Sequence, residues 1–176
     1  MKFDTNAVRG RSSPDPTTGA IIPPIYQTAT YVLEEVGKDK GFDYTRSSNP
    51  TRQDLEEHLA AIEGGQYCIA FSSGMASADS CMKLLSKGDH VVCCDDVYGG
   101  TARLFNNLMT NYGVEFTYVD SQDSANVERA IQPNTKMVWI ETPTNPLLKV
   151  TDLEAVGKTA KSHGLLYVVD LSLIHI

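Results

Sequence analysis

Four polar segments of the chain follow apolar stretches and contain side chains that could bind or activate a ligand. They are Ser72–Ser77, Asp95–Thr101, Glu141–Pro146 and, at the end of a last apolar stretch, the single carboxylate of Asp170. The apolar stretches have the length and composition of buried strands. Because parallel sheets bind ligands at the carboxyl ends of their strands, we expect these segments to meet along one edge.

Ser73, Gly74 and Met75 lead directly into a predicted helix. Backbone N–H groups and the dipole at a helix start attract anions, and Gly74 has no Cβ to keep a phosphate away. A plain strand–helix turn explains this segment equally well. The chain has neither of two common phosphate-binding glycine motifs, G-x-G-x-x-G after a strand or G-K-[ST], and no G-x-S-x-G elbow of a serine hydrolase.

Tyr98, Glu141, Asn145 and Asp170 are the candidate catalytic residues. Tyr98 could lay its ring over a flat heteroaromatic ligand, and Asn145 offers both a donor and an acceptor. Considered one at a time, each has a simpler explanation: Tyr98 as a packed tyrosine, Asn145 as a turn-forming asparagine and Glu141 as a solvated carboxylate. Asp170 is different, because a buried carboxylate is costly without a cationic partner. A phosphate cradle, an aromatic ring, an amide and a carboxylate facing a ring nitrogen together describe a pyridoxal phosphate pocket.

The elements that must position these groups alternate along the chain. Residues 1–50 lack periodicity and are rich in proline, and we interpret them as an extended arm that lies on a partner surface. Strands are predicted at 67–71, 90–94, 114–119, 137–140 and 165–170. Helices are predicted at 49–64, 75–85, 124–131 and 152–163, and a further helix includes 105–108 and ends at Gly113. This order predicts an α/β fold with a mostly parallel, doubly wound sheet that is covered on both faces.

Composition restricts the class of protein. At 176 residues with 41% hydrophobic content, the chain has the size and composition of one globular domain. A net charge of -7, with the two signs interspersed, argues against a nucleic-acid surface. No signal peptide or bilayer-spanning run is present, so we expect a cytosolic location and no membrane contact. Four cysteines without C-x-x-C spacing and scattered histidines indicate buried, reduced thiols and no metal site.

Five segments give the chain a resemblance to the pyridoxal-phosphate enzymes of cysteine and methionine metabolism that handle cystathionine. These segments run in the family's order and read YTRSSNPT (44–51), SSGMA (72–76), DDVYGGT (95–101), ETPTNP (141–146) and VVD (168–170). The resemblance implies a transferase-like large domain of fold type I, which is incomplete in this chain. It also implies that 1–50 is an arm contacting a neighbouring subunit and 51–170 a partial cofactor-binding domain.

The resemblance also implies a role for each residue. Gly74 and Met75, following Ser73, would give backbone N–H groups to the cofactor phosphate. Tyr98 would stack on the ring, and Asp170 would pair with the pyridinium nitrogen and keep it protonated. Asn145 would contact the ring hydroxyl or the substrate carboxylate, with Glu141 in the same loop.

Two further residues are implied to act on a neighbouring subunit. Tyr44 and Arg46 would reach the phosphate bound there, which implies at least a dimer and, as is usual in the family, a tetramer. Ser48 stands where glycine is common in this motif, a departure that leaves the two assignments intact.

The chain departs from the family after Asp170. The family would continue with Asn-Thr-Phe, and then with the lysine that joins the cofactor and a small carboxyl-terminal domain; the chain instead reads LSLIHI at 171–176. Sequencing-adapter DNA can encode these six residues. We therefore expect a non-native read-through tail on a truncated chain that is inactive by itself.

The reaction we expect of the parent enzyme is γ-elimination from cystathionine, as in a cystathionine γ-lyase. Cystathionine γ-synthase, methionine γ-lyase and O-acetylhomoserine sulfhydrylase remain open, because the five segments do not choose the reaction. A non-catalytic fragment is the alternative from a different class. A dinucleotide-binding domain is disfavoured by the missing glycine fingerprint.

Overall fold

In the computed structural model of the chain, residues 2–10 and 13–175 are described, and the chain divides into the units Met1–Phe71 and Ser72–Ile176. Met1, Arg11 and Ser12 of the predicted arm and Ile176 of the predicted tail lie outside the described residues. The predicted boundary at residue 50 coincides with the start of a helix rather than with the division between the units. None of the described helices combines the length and hydrophobicity that crossing a membrane requires.

In its described residues, the unit Met1–Phe71 has two helices, α1 (Phe3–Arg9) and α2 (Pro50–Ile62). Helix α2 begins as predicted, because the Asn49 side chain accepts a hydrogen bond from the Thr51 N–H at 2.8 Å and Pro50 occupies the first turn. The Asn49 amide group also donates to the Tyr26 carbonyl at 3.0 Å. This second hydrogen bond fixes part of the predicted arm to the start of α2.

Residues 67–71, predicted as a strand, pair with no strand in the described part of the chain. The Ala70 N–H instead donates to the Glu56 carboxylate at 2.9 Å, and Tyr67 and Ile69 are 81% and 66% exposed. This prediction is wrong for the structure. The residues have the composition of a strand, but a strand forms only where a neighbouring backbone completes its hydrogen bonds.

The unit Ser72–Ile176 is built of alternating helices and strands. They are α3 (Gly74–Met82), β1 (His90–Cys94), α4 (Gly99–Arg103), β2 (Glu115–Val119), α5 (Ser124–Ala130), β3 (Thr135–Glu141), α6 (Leu153–Ser162) and β4 (Leu166–Asp170). Helix α4 continues as a π-helical turn, Leu104–Leu108, and a 3-10 turn, Met109–Tyr112, and a short 3-10 helix, Ser172–His175, follows β4. The four strands lie within two residues of their predicted positions.

All four strands are parallel, in the order β2-β1-β3-β4, which confirms the predicted parallel α/β sheet. The chain moves from β1 to β2 and then crosses back to β3 and β4, so the direction of winding reverses between β1 and β3. Helix α3 packs with α4, and α5 packs with α6. Right-handed crossovers put these two pairs on opposite faces, and the point of reversal is where such sheets bind ligands.

The core of this unit lies on the two central strands. All of β1 is buried, as is all of β3 except one residue, and Phe105 stacks on Phe116 at 4.8 Å and meets Trp139 edge-on at 5.3 Å. The prediction that β4 is buried is wrong: Leu166 is 44% exposed and the other residues of β4 are half-buried. The reason is that β4 forms an edge of the sheet in the part of the chain described.

Candidate functional site

A cavity of about 410 Å³ lies at the carboxyl ends of β1, β3 and β4, next to the start of α3. It is lined by Ser73, Gly74, Met75, Ala78, Tyr98, Thr101, Glu141, Asn145, Asp170, Ser172 and Leu173. The volume is in the range of small-molecule sites. Residues from all four predicted polar segments therefore meet in one cavity at the point where the sheet reverses its winding. The chemical roles given to them stay predictions.

The start of α3 forms one wall of the cavity. The Ser73 hydroxyl caps the helix by accepting a hydrogen bond from the Ala76 N–H at 3.2 Å. The first N–H groups of a helix have no partner within it, so those of Gly74 and Met75 are available to an anion. A Cβ added to Gly74 would meet no atom within 4 Å. The wall therefore offers both donors and open space.

Tyr98 supplies an aromatic ring to the cavity from the loop after β1. The ring is 45% exposed and lies against Gly100, where an added Cβ would come within 2.4 Å of Tyr98 Cε1 and 2.9 Å of Met75 Sδ. Gly100 is therefore required for the ring to lie where it does. Sequence reasoning placed Gly100 in the motif without giving it a role.

Glu141, the last residue of β3, is 3% exposed and binds the backbone of two loops. It accepts hydrogen bonds from the Tyr98 N–H at 2.7 Å and the Asn145 N–H at 2.9 Å. Burial raises the pKa of Glu141, these two N–H groups oppose the shift, and the negative charges of Asp170 and Asp96 raise it further. Asn145 is half-buried and follows Glu141 in the loop after β3.

Asp170 ends β4 directly beside Glu141, its partner in the register of β3 and β4. One carboxylate oxygen, Oδ1, accepts hydrogen bonds from the Ser172 N–H at 3.0 Å and the Ser172 hydroxyl at 2.6 Å. Asp170 is half-buried rather than fully buried. Ser172 thus holds Oδ1 of the carboxylate, whereas Oδ2 accepts no hydrogen bond from residues 2–10 and 13–175.

Four residues of the lining were not assigned a role from the sequence. Ala78 lies one helical turn after Gly74, and this spacing alone places it on the same face of α3. Thr101 lies inside a polar segment that was recognised, and its burial is what identifies it. Ser172 and Leu173 fall in the predicted read-through tail, and no sequence signal links them to the cavity.

Tyr44 and Arg46 belong to the unit Met1–Phe71, outside the unit that contains the cavity. The two side chains contact each other, with the Arg46 guanidinium carbon 5.0 Å from the centroid of the Tyr44 ring. Tyr44 is half-buried and Arg46 is exposed.

All four cysteines are free thiols; Cys93 and Cys94 are buried, whereas Cys68 and Cys81 are only half-buried. Within residues 2–10 and 13–175, no cluster of three or more His, Cys, Asp or Glu side chains could hold a metal ion.

Comparisons with known proteins identify relatives along nearly the whole chain. The family model described as "Cys/Met metabolism PLP-dependent enzyme" matches residues 4–174. A probable cystathionine gamma-synthase from Herpetosiphon aurantiacus is 46% identical over 168 residues, and a cystathionine gamma-lyase from Bacillus subtilis (strain 168) is 47% identical over 170. These alignments cover 96% and 97% of this chain but 53% and 45% of the relatives, so the chain spans about half their length.

A solved structure is similar over the same extent. The crystal structure of cystathionine gamma-lyase from Lactobacillus plantarum, complexed with L-serine, superposes with a TM-score of 0.92 at 44% sequence identity. The match covers 97% of this chain and 45% of that chain.

Proposed function

The chain belongs to the Cys/Met metabolism family of PLP-dependent enzymes, and on this premise we propose that the whole protein is a transsulfuration enzyme that removes the γ-substituent of cystathionine. One observation carries the proposal for this chain. The cavity between the strand ends brings together the start of α3, the ring of Tyr98, the loop of Asn145 and the carboxylate of Asp170. A named cystathionine gamma-lyase at 47% identity supports the choice of reaction.

The residues of the cavity fit pyridoxal phosphate by the chemistry of their donors and acceptors. N–H groups at the start of α3, with open space at Gly74, suit a phosphate. The Tyr98 ring suits a flat heteroaromatic face, and Asp170 suits a protonated ring nitrogen. When bound, the cofactor supplies an electron-withdrawing ring that stabilises negative charge on the substrate α-carbon.

The residues of the chain then have separate tasks. Gly74 and Met75 bind the phosphate through their N–H groups, and Tyr98 covers one face of the ring. Asp170 holds a proton on the ring nitrogen with its carboxylate, which lies in the lining of the cavity. Asn145 binds either the ring hydroxyl or the substrate carboxylate with its side-chain amide.

We also propose that Tyr44 and Arg46 bind the phosphate of a neighbouring subunit. The whole protein would then be at least a dimer, and a tetramer is the usual assembly in the family. Their contact with each other supports a joint role. Exposed apolar side chains elsewhere in the unit Met1–Phe71, such as Ile22 (75%) and Ile25 (84%), also suit a subunit interface.

A Gly74→Asp variant tests the cofactor site. A carboxylate in the first turn of α3 stabilises the helix by about 0.3–1 kcal/mol but repels a phosphate bound there. We expect the affinity for pyridoxine 5'-phosphate, which lacks the aldehyde and cannot react with surface amines, to fall at least ~10-fold. Quenching of the single tryptophan, Trp139, measures the binding.

The matched control for this variant is Ser124→Asp, which adds the same charge at the first residue of α5, away from the cavity. It should bind the ligand as the unaltered chain does. Equal binding by both variants contradicts a phosphate site at Gly74.

The reaction is tested by assaying the full-length parent protein, rather than this chain, with pyridoxal phosphate. We expect cystathionine and one water molecule to give cysteine, 2-oxobutanoate and ammonia, measured as 2-oxobutanoate. Cystathionine γ-synthase is the second candidate, because a relative named as a probable synthase is 46% identical. Product formed only from an O-acylhomoserine and cysteine would refute the lyase and favour the synthase.

A further inference from the structure

Two carboxylates join the loop after β1 to the loop after β3. Glu141, at the end of β3, accepts the Tyr98 N–H at 2.7 Å through Oε2 and the Asn145 N–H at 2.9 Å through Oε1. Both of its oxygens are therefore bound to the backbone of the two residues that face the ligand cavity.

Asp96, in the loop after β1, makes the reverse connection. Its Oδ2 accepts the Leu147 N–H at 2.9 Å and the hydroxyl of Thr144, both in the loop after β3. The Thr144 hydroxyl oxygen in turn accepts the Lys149 N–H at 2.9 Å. Each loop is thus held by a carboxylate that comes from the other strand, and we call Glu141 and Asp96 the carboxylate clamp.

The carboxylate clamp lies in a buried region, where an ionised carboxylate is unfavourable unless its oxygens accept hydrogen bonds. Glu141 is 3% exposed, and Asp96 is half-buried beside it. A buried carboxylate without partners is strongly unfavourable, whereas N–H groups that donate to an ionised oxygen make strong, short hydrogen bonds. The Tyr98 and Asn145 N–H groups therefore stabilise Glu141, and Glu141 fixes the backbone that carries them.

We propose that Glu141 is a positioning residue that sets the Tyr98 ring and the Asn145 amide relative to each other across the switch point between β1 and β3. The predicted effect of Glu141 on cofactor binding rests on the proposed function. The positioning role goes beyond that function because it gives Glu141 no contact with the reacting atoms.

The test is Glu141→Gln, which keeps the shape of the side chain but replaces one acceptor oxygen with a donor. We expect the Tyr98 or Asn145 amide to exchange with deuterium at least ~10-fold faster, as resolved by NMR, because one N–H loses its acceptor. Amides of β2 should keep their protection, which separates local positioning from general loss of stability. The affinity for pyridoxine 5'-phosphate should fall about 10-fold.

Glu128→Gln is the matched control, because it removes the same charge from an exposed position on α5 and should change neither readout. Glu141→Asp keeps the charge on a shorter side chain and serves if the glutamine variant does not fold; it should show the same local exchange. Unchanged exchange at both amides, or faster exchange with unchanged ligand affinity, overturns the proposal. If the unaltered chain binds no ligand, the cofactor site proposed for this chain fails, and the amide exchange alone decides whether Glu141 positions the loops.

Discussion

At the scale of single residues, Tyr98 and Gly100 depend on each other. The ring of Tyr98 occupies the space that any side chain at position 100 would need, and Met75 Sδ would also lie within 2.9 Å of an added Cβ. Gly99 is different, since an added Cβ there would lie 3.5 Å from Arg103 Nη1, an ordinary contact. Of these two adjacent glycines, only Gly100 lies where an added Cβ would clash with the Tyr98 ring.

This difference predicts opposite outcomes for two matched variants. Gly100→Ala should displace the Tyr98 ring and lower the affinity for pyridoxine 5'-phosphate about 10-fold, measured by quenching of Trp139 fluorescence. Gly99→Ala should leave the affinity unchanged. Both lie in α4, where replacing glycine by alanine adds about 0.5–1 kcal/mol of helix stability, so backbone effects cancel in the comparison. Similar affinities for the two variants would show that the ring does not contact the ligand.

At the scale of elements, His90 joins three strands at the end of the sheet opposite the cavity. It begins β1 and is 1% exposed, with Nδ1 2.7 Å from the Thr135 hydroxyl of β3 and Nε2 2.9 Å from the Thr117 hydroxyl of β2. Burial lowers the pKa of His90 below its usual value of 6.5, although the nearby Glu115 carboxylate opposes this. At pH values between the folded and the unfolded pKa of His90, the imidazole is therefore neutral in the folded protein and protonated in the unfolded chain.

The sign of the pH effect follows from this lowered pKa. As pH falls through 6.5, the unfolded chain takes up the proton first, so the free energy of unfolding decreases until the pH reaches the folded pKa. Each unit by which the pKa is lowered corresponds to about 1.4 kcal/mol. We expect His90→Asn to lose less stability than the unaltered chain between about pH 7.5 and about pH 5, as measured by urea unfolding.

The exposed His163 provides the control for this experiment. His163→Asn should follow the pH dependence of the unaltered chain. An unaltered pH dependence in His90→Asn as well would mean that the buried ring does not contribute to it.

At the scale of the whole molecule, core and cavity use the same two strands. β1 and β3 are central in the sheet, and their ends carry Tyr98 and Glu141 to the cavity while their middle residues are buried. Phe105, from the turn after α4, packs against this sheet through Phe116 of β2 and Trp139 of β3. Rigid strands are a suitable base for a site, because packed side chains restrict the movement of the loops that follow them.

Local patterns in the sequence predict most of the elements and name seven of the eleven residues that line the cavity. The start of α2 at Asn49, the strands β1 to β4 and the seven lining residues predicted from four segments follow from local properties, since caps, turns and periodicity are encoded within a few neighbouring residues.

Which of these groups meet depends on the tertiary fold. The hydrogen bond from Tyr98 to Glu141 joins residues 43 apart, and it exists because β1 and β3 are neighbours in the sheet. The same dependence on neighbours explains why residues 67–71 have the composition of a strand yet pair with none in the described chain. It also explains why Ser172 was not foreseen beside Asp170. Contacts of this kind are set by the packing of distant segments, which no local pattern in the sequence records.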